Sequence, residues 1–174
     1  MDTLSVPTES SESAKAYAIL GRALALASSF EADCRLVAFA LGLKEPNPIS
    51  GNIEAFSTFL EKVVTAQLIK NHDRIISKFN LSEKYKDLLS DARNARNYIA
   101  HEAGEEIETK LRDQEEWAAW CQILRERLLE IASGKQIVAI LITRVVKSTM
   151  PSASSVSAYP AHIVQWVFSE HEQT

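Results

Sequence analysis

Residues 91–104 read DARNARNYIAHEAG, and the polar residues in this run are spaced for a common purpose. On an α-helix of 3.6 residues per turn, Arg93, Asn97 and His101 succeed one another at i, i+4 and i+8 and form one polar ridge. Leu88, Ala92, Ala95, Ile99 and Ala103 fall on the apolar stripe that turns to a core, and Arg96 stands at its shoulder, stem packed and guanidinium reaching outward. A cation, an amide and an imidazole thus leave one rigid element together. Cleavage of an RNA phosphodiester by its own 2′-hydroxyl needs such a set. Histidine, with an unperturbed pKa of about 6.5, can take or give a proton near neutral pH. An arginine fork matches the non-bridging oxygens as negative charge builds on them. Asn97 suits orienting the imidazole or a phosphate oxygen, Arg93 adds a substrate-binding cation, and Tyr98 adjoins the set either as a further substrate contact or, the reading favoured, as a packed or interface tyrosine. The same pattern also fits a solvated helix face.

Other chemistries find less support. His72, His162 and His171 have no ligand spacing with one another or with Cys34 and Cys121, so no metal site is expected. The two cysteines lie far apart in helical patterns and read as buried free thiols of a reducing compartment. No phosphate-cradling glycine loop and no G-x-S-x-G elbow is present, and no cofactor is called for. Trp117 and Trp120, spaced i and i+3 beside Leu124 and Leu128, read as core or interface rather than as base-stacking platforms.

The elements that must position the ridge follow from apolar periodicity. Tyr17, Leu20, Leu24, Ala27, Phe30, Cys34, Val37 and Leu41 predict a long first helix over 13–43. KEPNPISG (44–51) breaks it, and Ile53, Phe56, Leu60, Val63, Val64 and Leu68 predict a second helix to about Asn71. HDRIISKF either continues that helix or forms a separate turn. Asn80 and Glu83 have capping-box spacing and start a third helix, which Gly104 stops. A fourth runs from Glu105 to Ile131, with Gly134 ending it, and 135–148 make a fifth. A Ser-rich loop and a short arm docking Trp166 and Phe168 complete the chain. The expected architecture is an all-α bundle of four to five helices over 13–148, with a disordered 1–12 and a loop and arm over 149–174.

The 174 residues suffice for one domain with a real core, and a composition 46% hydrophobic and 24% charged is that of a globular protein. The formal net charge of −4 gives no global electrostatic case for nucleic-acid binding. Residues 1–13 have neither the basic nor the apolar region of a secretory signal. The most hydrophobic run, IVAILITRVV, is about half a bilayer span and contains Arg144. A cytoplasmic protein without membrane contact is expected.

Arg96-Asn97-Tyr98-Ile99-Ala100-His101, followed by Glu102, resembles the R-N-x-x-x-H signature of the HEPN superfamily (higher eukaryote and prokaryote nucleotide-binding domains). The resemblance covers roughly residues 15–132 and implies a HEPN-like helical bundle with the motif near the end of a late helix. It further implies a metal-independent endoribonuclease of the toxin–antitoxin, abortive-infection or CRISPR-associated kind, with Arg96, Asn97 and His101 as its catalytic residues. Two copies of the motif would meet across a homodimer in a composite site. The partners implied are a second copy of the chain, an RNA substrate, and an antitoxin or other protein. Many members carry an acid on the first long helix, for which Glu31 and Asp33 in SSFEADCRL are the candidates.

Charge next to the motif points the other way. After His101 come Glu102, Glu105, Glu106, Glu108, Asp113, Glu115 and Glu116 against Lys110 and Arg112, a flank that repels a phosphate backbone unless basic surface compensates. Two further readings therefore stand beside the ribonuclease: a catalytically silent HEPN-like module that binds a nucleotide or protein partner, and a regulatory helical bundle.

Overall fold

The computed structural model describes residues 10–44, 53–65, 68–105 and 107–169. Among them every regular element is helical: α1 (Ser11–Lys44), α2 (Ile53–Thr65), α3 (Leu68–Phe79), α4 (Glu83–His101), α5 (Ile107–Lys110), α6 (Gln114–Val146) and α7 (Ala153–Phe168). The all-α expectation holds, while the seven helices exceed the four to five expected. None of the described helices is long and apolar enough to cross a membrane.

α4 and α6 make the most extensive helix pair, α1 packs along both, α3 lies mainly on α1 and touches α4, and α7 covers α6 and α1. The core is where their apolar stripes meet. Phe30 and Cys34 from α1, Leu89, Ala92, Ala95 and Ile99 from α4, and Leu124, Leu128 and Ile131 from α6 are all essentially inaccessible to solvent. Each large apolar side chain among them contributes on the order of 1.5–3 kcal/mol by leaving water. On α1 the buried line runs through Ala16, Ile19, Ala23, Ala27, Phe30, Cys34 and Val37, whereas Tyr17 and Leu24, expected on that stripe, are exposed. On α4, Leu89 rather than Leu88 fills the first position of the stripe.

The helix ends explain most departures from expectation. Ser10 and Ser13 cap α1 reciprocally, each backbone N–H donating to the other's Oγ at 2.9 and 3.1 Å, so the helix begins before residue 13. Residues 1–9 of the expected disordered tail lie outside the described residues. The expected second helix falls on α2 and α3, residues 66 and 67 between them lying outside the described residues, and HDRIISKF belongs to α3. Asn80 does not cap α4. It adopts φ 45° just after α3, a left-handed conformation that asparagine tolerates better than most residues, and Ser82 is the N-cap.

Gly134 is not a stop, and one helix spans Gln114–Val146. Its start is Asp113, whose Oδ1 accepts from the backbone N–H of Glu115 at 2.8 Å and Glu116 at 3.1 Å. The glycine sits where α6 presses on α4, so that a Cβ there would lie 2.4 Å from the Ala92 Cβ. Its role is close approach. The Ser-rich stretch is helical from Ala153, opened by Ser152, whose Oγ accepts from the Ser155 N–H at 3.1 Å. Within α7, Val167 is buried and Phe168 packs beneath Arg125, but Trp166 is 42% exposed and does not dock as expected.

Candidate functional site

α4 presents its polar ridge into an open cleft of about 540 Å³ bounded by three helices. Glu31 comes from α1, Leu68 and Ile69 from the first turn of α3, and Arg93, Asn94, Arg96, Asn97 and His101 from α4. Arg93, Asn97 and His101 share it because they lie on one helical row, opposite the buried Ala92, Ala95 and Ile99.

Arg96 is held from two sides. One Nη2 forms an ion pair with Glu31 Oε2, and Nη1 donates to Asn97 Oδ1 at 3.1 Å. Because guanidinium only donates, the Asn97 carbonyl must face Arg96, which leaves the Asn97 amide N–H groups for other acceptors. Glu31 also pairs through Oε1 with Arg35, one turn further along α1, so a single carboxylate joins two guanidinium groups. The Glu31 side chain is only 13% exposed, which makes this pair less screened than a surface bridge. The Arg93 side chain, by contrast, makes no hydrogen bond or ion pair among the described residues, and it is the lining cation with its fork uncommitted.

His101 is the last residue of α4 and is exposed. The turn behind it is pinned. Glu102 and Ala103 both donate to the Tyr98 carbonyl, at 2.8 and 2.9 Å, and the buried Trp120 indole donates to the Ala103 carbonyl at 2.9 Å. Trp117 stacks on Trp120 with centroids 4.8 Å apart, so both tryptophans serve the fold.

Two candidates fall elsewhere. Tyr98 does not line the cleft; it leans toward α6, half-buried, with the Arg127 guanidinium 5.8 Å from its ring centroid. Burial and then Glu102 push its hydroxyl above the usual tyrosine range. Asp33 pairs with Lys135 of α6 and lines a separate small cavity beneath α7. Of the two acids expected on the first helix, only Glu31 meets the motif. Asn94, Arg35, Leu68 and Ile69 were not singled out from sequence. The i, i+3 spacing of Asn94 and Asn97 and the i, i+4 spacing of Glu31 and Arg35 were available signals; nothing in the sequence places α3 beside α4.

Beneath the cleft wall, His72 of α3 is 2% exposed, and neither ring nitrogen has a hydrogen-bond partner of good geometry. Burial, then the neighbouring Arg93 charge, lowers its pKa; the Leu89 backbone and Asp73 offset this only in part. Among the described residues, none of the acids that follow His101 lines the cleft. Glu108 accepts from the Tyr17 hydroxyl at 3.2 Å, and Lys110 bonds the Glu105 carbonyl at 3.2 Å. Among the described residues no three His, Cys, Asp or Glu side chains cluster as metal ligands would. Comparison of the chain with protein-family models, with curated proteins and with solved structures found no match in any of the three.

Proposed function

We propose that this chain is a metal-independent, HEPN-type endoribonuclease that acts in the cytoplasm as a homodimer, the effector of a toxin–antitoxin or phage-defence system. The observation that carries the reading is the convergence of Arg93, Arg96, Asn97 and His101 in one cleft, with Arg96 fixed by Glu31. The biological setting rests on the R-N-x-x-x-H resemblance alone.

In this reading a 2′-hydroxyl attacks the adjacent phosphorus while a base takes its proton. The 5′-oxygen leaves with a proton from an acid, giving a 2′,3′-cyclic phosphate and a 5′-hydroxyl end. One imidazole fills one of these roles at a time, so His101 of a second copy completes the pair across a two-fold axis. Arg93 holds the non-bridging oxygens. Arg96 sets Asn97, whose amide donates to the phosphate, and Glu31 keeps Arg96 in place without drawing Arg93 away.

The silent-module reading has one observation of its own: Arg96 already spends donors on Glu31 and Asn97. Assay of purified protein against mixed single-stranded RNA in EDTA separates the two. Cleavage should occur, and His101→Ala should lose it by about 10²- to 10⁴-fold while melting as the wild type does, since the side chain is exposed. Arg96→Lys should stay impaired because an ammonium cannot bridge Glu31 and Asn97 as the fork does. Wild-type protein inert toward all RNA, or a His101→Ala variant of undiminished activity, overturns the enzyme.

A further inference from the structure

Phosphate chemistry explains the α4 side of the cleft but not the α3 side. Leu68 and Ile69 bring aliphatic surface into a cleft otherwise lined by charges and amides, and Ile69 is 45% exposed. Beside the arginines stands Asn94, exposed, whose side chain makes no hydrogen bond among the described residues, so the donor and acceptor of its carboxamide are both uncommitted. Asn94 and His101 lie seven residues apart on one helix, roughly 10 Å along its axis. A lone phosphate does not fill that length. A ligand that does carries an anionic group for the arginines and an apolar part with a polar edge for Ile69 and Asn94.

We propose that Ile69 and Asn94 form a nucleobase subsite that selects an unpaired adenine next to the scissile phosphate. The inference rests on the RNA reading of the same cleft. Ile69 packs against the face of the base, and the Asn94 carboxamide pairs with its edge, accepting from the N6 amino group and donating to N7. That is the two-bond match an asparagine makes with adenine. A base inside a duplex has both faces stacked, so the nucleotide at this position must be unpaired and splayed from its neighbours. On that edge guanine presents two acceptors, uracil one acceptor and cytosine one donor, so of the four bases only adenine gives Asn94 both bonds there.

The test is binding of fluorescent oligouridine carrying one central adenosine, purine riboside (which lacks the amino group) or abasic site, to full-length protein with His101→Ala to prevent cleavage. Adenosine should bind about 5- to 100-fold more tightly than purine riboside. Adding Asn94→Ala should abolish that preference. Adding Ile69→Ala should weaken the adenosine and purine oligomers alike and leave the abasic oligomer unchanged. Both added substitutions are at exposed positions, and matching melting curves establish that the fold is kept. Equal binding of all three oligomers, with RNA cleavage by wild-type protein intact, overturns the subsite alone. Absence of both binding and cleavage overturns the ribonuclease reading and the subsite with it.

Discussion

Replacing Gly134 by alanine should destabilise the protein, although alanine is the better helix former. Alanine in the interior of a helix is favoured over glycine by about 1 kcal/mol, which would raise stability if nothing else changed. At this position the added methyl would lie 2.4 Å from the Ala92 Cβ and 3.1 Å from the Phe30 Cε2. Carbon atoms rest at about 3.5–4.0 Å, so α4 and α6 would have to part by roughly 1 Å. Neither Cβ can rotate away, because each is fixed to its helix backbone. Overpacking of a core costs about 1–3 kcal/mol, and a contact between two rigid methyls belongs at the upper end of that range. The net effect is then a loss of about 2 kcal/mol, or roughly 4–8 °C in Tm for a domain of this size. Thermal unfolding followed at 222 nm reads it directly. The decisive comparison is the same substitution made with Ala92→Gly, which removes the opposing methyl. There the propensity gain acts with the main clash gone, and Gly134→Ala should change from destabilising to stabilising. If Gly134→Ala melts at or above the wild type in the native background, α4 and α6 are not held at this spacing, and the glycine needs another explanation.

Three further outcomes follow from particular side chains. His72 is neutral in the fold, its pKa lowered by burial and Arg93, so between about pH 6.5 and that lower value the unfolded chain binds the extra proton. Stability should therefore be full above pH 6.5 and fall as pH drops through this window, by up to about 1.4 kcal/mol per pH unit; denaturation curves of His72→Leu that run parallel to wild type from pH 5 to 7 would contradict this. Trp120→Phe should cost about 1–3 kcal/mol in urea titrations by leaving the Ala103 carbonyl without its donor, and should speed amide exchange in the turn after His101. Unchanged exchange there would mean that the indole does not hold the turn. The Cys34 thiol, pushed up to about 12 chiefly by burial, and the buried Cys121, also raised, should resist a disulfide reagent at pH 8 until the protein is unfolded; rapid labelling of the native protein would refute that burial.

What the amino-acid order determined here is local. The 3.6-residue period alone puts Arg93, Asn97 and His101 on one row of α4, and the structure places all three in one cleft. The helical class and the extent of α1 were legible in the same way. Positions where two helices meet were not. Glu31 and Asp33 are two residues apart, about 200° around α1, so at most one could face α4. Only packing decides that it is Glu31, while Asp33 turns to Lys135. Gly134 has the local character of a helix end, yet it lies mid-helix because the contact with Ala92 leaves no room for a Cβ. Asn80 has the spacing of a cap, yet it adopts a left-handed conformation in the short connection where α3 ends and before α4 begins. The α3 wall of the cleft is the furthest from the sequence. Leu68 and Ile69 precede Arg93 by more than twenty residues, and no periodicity within one helix specifies which other helix will lie beside it.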